Sequence, residues 1–144
     1  MKGYVFRLST VARVRYLQQE IAKNRLMIAM RELNKALSEE RTWIDEIQRF
    51  EMPGGDVCGA ELIWGFDQQQ RLHHGLLAAK EEVVDAKSKS ESLRNEWLAA
   101  NRQCEMLGRL DARMQLVFEN GQRRLQASEL DDLNNSRFAK KVLS

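Results

Sequence analysis

The sequence predicts an all-α protein: a long antiparallel two-helix coiled-coil hairpin, forming one unit over residues 1–144. Two observations carry this. From Leu62 to Phe118 one seven-residue repeat runs unbroken through Leu62, Gln69, Leu76, Val83, Ser90, Trp97, Cys104, Asp111 and Phe118. Between these lie Leu72, Ala79, Ala86, Leu93, Ala100, Leu107 and Met114, all apolar. A seam that constant holds one stripe against a partner helix with left-handed supercoiling, which a globular helix of a few turns does not need. The second observation is the one strong turn signal, Met52-Pro53-Gly54-Gly55-Asp56. With one turn, two helices can only fold back on each other.

Composition agrees. One proline and few aromatics exclude a sandwich or barrel, and the rest is rich in helix formers. The charge is high but nearly balanced, +2 from 23 basic and 21 acidic residues, which is a solvated helical surface and not a polycation. The longest apolar run, Leu26 to Met30, is too short to span a membrane. Met1-Lys2-Gly3-Tyr4 leads into no hydrophobic signal region. The expectation is a soluble, cytoplasmic protein.

In chain order, Tyr4-Val5-Phe6 is a short apolar start, and Ser9 or Thr10 can cap a helix over residues 9–51. Its apolar residues fall in two phases. Val11, Val14, Leu17, Ile21 and Ile28 form the first; Leu26, Met30, Leu33, Leu37, Ile44, Ile47 and Phe50 form the second. They meet at Leu26–Met30, which predicts a stutter in the supercoil. Met52 precedes Pro53 and is pushed out of helical dihedrals, so the helix ends near Glu51. The turn covers 52–59 and the second helix about 60–137, with a frayed C-terminus. Gly65 and Gly75 soften its first turns. Pairing that starts with Glu51 opposite Leu62 makes paired numbers total about 113 and exhausts the N-terminus near residue 112. Met114, Val117, Phe118, Leu125 and Leu130 then continue as an overhang. Cys58 and Cys104 lie roughly 60 Å apart at about 1.5 Å per helical residue and form no disulfide. Cys104 is a small seam residue.

Charge is uneven along the chain. Residues 1–31 carry seven basic and one acidic side chain; residues 32–61 carry three basic and eight acidic. In a hairpin the open end, with Arg102, Arg109 and Arg113, is basic and the turn end acidic. Ordinary solvated faces and two electrostatically distinct binding ends are both open readings.

No catalytic pattern is present, so no enzyme is expected, and no cofactor or metal. His73 and His74 are adjacent and point to different helix faces, unlike a chelating pair at i, i+4. Glu39-Glu40 and Glu81-Glu82 sit on helix surfaces with no pocket. There is no phosphate loop and no Gly-x-Ser-x-Gly, and two helices cannot enclose a pocket of several hundred Å³. Trp97 is a seam residue. Trp43 and Trp64 flank the turn with Phe50 and Phe66, either as a hydrophobic plug or as an aromatic contact patch.

Tyr4-Val5-Phe6-Arg7-Leu8, followed by Val14-Arg15-Tyr16-Leu17-Gln18-Gln19-Glu20, resembles the opening of flagellar type III export FliJ proteins. These begin with a Phe-x-Phe-x-Leu segment and an Arg-containing helix. The end is similar too: Arg123-Arg124-Leu125-Gln126-Ala127-Ser128-Glu129-Leu130-Asp131-Asp132-Leu133, then Arg137-Phe138, against the family's basic stretch, Glu-Leu-Asp-Glu and Arg-Phe. Tyr4 stands where Phe is common and Asp132 where Glu is common; the Met52–Cys58 turn matches no family pattern. The resemblance implies a stalk and escort protein of the export apparatus. Its implied partners are the hexameric export ATPase, the export-gate membrane protein and export chaperones, with peripheral association to membrane-bound machinery. It places the ATPase contact at the open end and matches Arg123, Arg124, Leu130 and Asp131 individually; the apolar overhang with its basic neighbours adds Arg7, Arg13, Arg15, Met114 and Phe118 as ATPase-contact candidates. Gate-contact candidates lie at the turn end, at Trp43, Phe50, Trp64 and Phe66. Two other classes stay open: a nucleic-acid-binding arm, which the balanced charge disfavours, and a self-associating structural spacer.

Overall fold

The computed structural model describes residues 3–56 and 58–143, so Met1, Lys2 and Val57 of the expected turn lie outside the described residues, as does Ser144. It is all-α: α1 spans Ser9–Arg49 and α2 spans Gly59–Leu143, packed as an antiparallel hairpin with no strand among the described residues. The chain forms two units, Gln18–Ala100 and Met1–Leu17 with Asn101–Ser144.

The Gln18–Ala100 unit holds the turn and the tightest packing. Its buried residues are small: Ala22, Ala29 and Ala36 on α1; Gly65, Ala79, Val83 and Ser90 on α2. Ala29 is 2% exposed, and among the described residues no large side chain is fully buried. Alanines repeating every seventh residue bring two helix backbones close, and larger side chains pack along the edges. Glu32 and Lys89 pair across one side of this seam at 3.3 Å, both well exposed, so the pair adds at most about 1 kcal/mol.

The turn is made by backbone geometry. The Phe50 amide donates to the Glu46 and Ile47 carbonyls, closing α1. Gly55 adopts φ 81°, the left-handed region glycine enters at no steric cost. The Cys58 carbonyl then accepts the Glu61 and Leu62 amides and opens α2. Met52 and Pro53 fold onto Gly65, where a Cβ would lie 2.8 Å from Pro53 Cδ.

In the other unit, residues 3–17 lie along α2 from Asn101. Arg15 donates to Gln103 Oε1 at 2.7 Å. The Tyr4 hydroxyl donates to Asp111 Oδ1 at 2.6 Å, and its ring sits 5.7 Å from that of Phe118. Beyond Gln122 every described residue of α2 is exposed.

Several expectations are corrected. The α1 seam is one heptad register without a stutter: Leu8, Ala12, Arg15, Gln19, Ala22, Leu26, Ala29, Leu33, Ala36, Glu40, Trp43, Ile47 and Phe50 are all buried or half-buried. Val11, Val14, Leu17, Ile21 and Ile28, expected as the first seam phase, are exposed. Neither the Ser9 nor the Thr10 hydroxyl caps α1 among the described residues; the ladder opens at the Leu8 carbonyl, which accepts the Ala12 amide. On α2 the seam holds at every predicted position from Leu72 to Phe118, but Leu62 and Gln69 face outward and Gly65 and Gln68 take their place. The cause is the turn, because Met52 and Pro53 occupy Gly65 and displace the first paired residue. The pairs Arg15–Gln103, Glu32–Lys89, Trp43–Gly75 and Tyr4–Asp111 each total more than 113, so the N-terminal segment reaches Phe118 and not residue 112. Finally, α2 continues past 137 to Leu143.

Candidate partner-binding surfaces

The polar residues of the predicted seam show how local chemistry sets its geometry. The Ser90 hydroxyl is buried and donates to the Lys87 carbonyl at 2.9 Å, which removes its need for a cross-helix partner. Asp111 is satisfied by Tyr4, whose hydroxyl also lies 3.2 Å from the Asp111 carbonyl. Burial, and then the hydrogen bond and charge of Asp111, push the Tyr4 hydroxyl up to about 12. Trp97 Nε1 is buried and has no acceptor among the described residues.

The expected tip residues divide. Trp43 is half-buried with its ring on Gly75, where a Cβ would lie 2.5 Å from a ring carbon. Phe50 is half-buried and lines a hollow with Met52, Leu72 and His73. These two act as the plug. Trp64 and Phe66 are 56% and 59% exposed, and their neighbour Ile63 is 64% exposed. Trp64 and Phe66, two residues apart, point to different sides of α2, and Glu61 and Asp67 are exposed close to them in sequence. Gly65 and Gly75 are seats for the turn and for Trp43, a role the sequence reading missed.

The expected open-end residues also divide. Met114 and Phe118 are half-buried and share a hollow with Gly3, Tyr4 and Val5. Arg7 and Arg13 are exposed on the approach to α1 and its first turns; Arg15 is half-buried on Gln103. Arg123, Arg124, Leu130 and Asp131 stand exposed on the bare part of α2. No arrangement brings these nine residues into one cluster.

Two surfaces were not anticipated. One is the outward face with Val14, Leu17, Ile21 and Ile28, whose helical spacing predicts seam. The other is a groove lined by Val11, Leu107, Leu110 and Met106 with Arg15, Arg109 and Arg113. Met106 next to a seam leucine was its one visible signal. Both cysteines are free thiols. Among the described residues no group of three His, Cys, Asp or Glu is placed to hold a metal, and no helix is long and apolar enough to cross a membrane. These features define the class: a coiled-coil-like helical hairpin with a thin core and extensive exposed apolar surface. No family model, curated protein or solved structure matches the chain.

Proposed function

We propose that the chain is a non-enzymatic stalk and escort protein of the flagellar type III export apparatus. It is cytoplasmic and acts at the inner-membrane machinery. The observation that supports this most is the bare length of α2: from Arg123 to Leu143 every residue is exposed, including Leu125, Leu130, Leu133 and Phe138. A lone helix that keeps such side chains in water gains stability from a partner that covers them. That segment also carries the terminal motif Arg123-Arg124 and Leu130-Asp131, on which the family resemblance rests. In this reading it enters the central opening of the hexameric export ATPase, helped by Arg7 and Arg13. Trp64 and Phe66 contact the export-gate membrane protein, with Trp43 and Phe50 holding the tip in shape, and export chaperones are carried as escorted partners. No nucleic acid is bound.

The test is a chain cut after Gln122, which keeps Met114 and Phe118 beneath Tyr4. Expected are a helical fold by circular dichroism and loss of binding to the export ATPase ring. Unchanged ring binding by the shortened chain overturns the proposal.

A further inference from the structure

The groove in the unit of Met1–Leu17 and Asn101–Ser144 has a floor and a rim of different chemistry. Val11, Leu107 and Leu110 form the floor with Met106, which is 66% exposed although it lies in the middle of a long helix. The rim is Arg15, Arg109 and Arg113, with Gln103 between the helices. No acidic side chain lines it, and neither Arg109 nor Arg113 joins an ion pair among the described residues. Of the two carboxylates within the same turns, Asp111 accepts the Tyr4 hydroxyl and Glu105 accepts the Asn101 side-chain amide.

We infer that this groove docks an acidic amphipathic helix of a partner protein. The side chain at Met106 is unbranched and adaptable, suited to packing against varied apolar knobs. Its α2 wall, from Gln103 to Arg113, is about 15 Å long at about 1.5 Å per residue, matching about three turns of a docked helix. Apolar residues at i, i+3 or i+4 and i+7 enter the floor, and Asp or Glu beside them meet the Arg109 and Arg113 guanidiniums, a group that binds carboxylates bidentately. A nucleic acid does not suit an apolar floor. A second copy does not either, because a twofold arrangement sets Arg109 and Arg113 against themselves. The inference is independent of the export reading, since a chain cut after Gln122 keeps the groove whole.

The test uses the full chain and labelled helical peptides about 18 residues long, the length that spans the groove with a turn to spare at either end. One carries leucines at helical spacing flanked by glutamates; the other has lysines in place of the glutamates. Fluorescence anisotropy at about 0.1 M salt, where the screening length is about 10 Å, reads binding. The glutamate peptide is expected to bind at least about tenfold more tightly than the lysine peptide, and Met106→Asp and Arg113→Glu each to weaken it about tenfold or more. Both side chains are exposed, so helicity by circular dichroism stays unchanged. Absent binding of the glutamate peptide, equal binding of both peptides, or binding indifferent to both substitutions overturns the inference. So does sedimentation showing a dimer of the chain that Arg113→Glu dissolves, which assigns the groove to a second copy.

Discussion

At the scale of single residues, two kinds of glycine sit in the same helix. Gly75 is where the Trp43 ring lies on the α2 backbone; Gly108 has open space where a Cβ would stand. Alanine is favoured over glycine in a helix by about 1 kcal/mol, but at Gly75 it drives a methyl into an aromatic ring, and overpacking costs about 1–3 kcal/mol. Gly108→Ala is therefore expected to raise stability by about 1 kcal/mol, and Gly75→Ala to lower it despite the better propensity. Denaturant unfolding checks both, and a stabilising Gly75→Ala would mean that Trp43 does not rest there. Tyr4 makes a second residue-scale prediction. Its neutral hydroxyl is favoured by the fold, and its ionisation moves from 10.0 to about 12. The contribution is whole below pH 10.0 and is lost as pH rises toward about 12, since the undocked segment ionises first. Titrating tyrosine absorbance should show one late-ionising group in the intact chain. In Asp111→Asn, which removes the charge and weakens the acceptor, that group should return toward ordinary values.

At the scale of elements, the difference between what was legible and what was not has a physical cause. The α2 seam from Leu72 to Phe118 was readable because large apolar residues mark it at constant spacing, with Ser90 and Asp111 as exceptions that find local or N-terminal partners. The first half of the α1 seam is hard to read because its deepest residues are alanines, while the conspicuous Val14, Leu17, Ile21 and Ile28 point outward; of the second phase, Leu26, Leu33, Ile44, Ile47 and Phe50 are half-buried as expected and Met30 and Leu37 are exposed. Large side chains do not mark burial on α1, because close helix approach selects small residues. The same bias hid the Gly65 and Gly75 seats, and with them the displaced register. Of the candidate contacts, Trp64, Phe66, Arg123 and Leu130 are exposed, whereas Met114 and Phe118 share a hollow with Tyr4, far apart from them in sequence. The seam itself is testable: Leu93 is half-buried in it, and Leu93→Asp places a carboxylate there without a partner. A loss of several kcal/mol is expected. Lys87→Ala, on an exposed position, should change stability by less than about 0.5 kcal/mol. Equal melting of the two variants would contradict the register.

At the scale of the whole molecule, stability is distributed unevenly. Every described residue that is buried belongs to Gln18–Ala100: Ala22, Ala29 and Ala36 of α1, and Gly65, Ala79, Val83 and Ser90 of α2. The other unit is held by half-buried seam residues, by Arg15 on Gln103 and by Tyr4 on Asp111 and Phe118, and beyond Gln122 every described residue is exposed. An isolated helix of about 20 residues is marginal in water, because one stripe of intrahelical bonds must offset the entropy of every residue fixed. Backbone opening should follow that order. Amide hydrogen exchange at neutral pH is expected to protect residues 22–36 and 79–97 most, 101–118 less, and 123–143 least. Adding a partner that covers the bare helix should raise protection there first, and Tyr4→Ala should lower it at 107–118 while leaving 22–36 unchanged. Uniform protection along α2 would show that the helix opens as one cooperative rod, and that packing against α1 does not grade its stability.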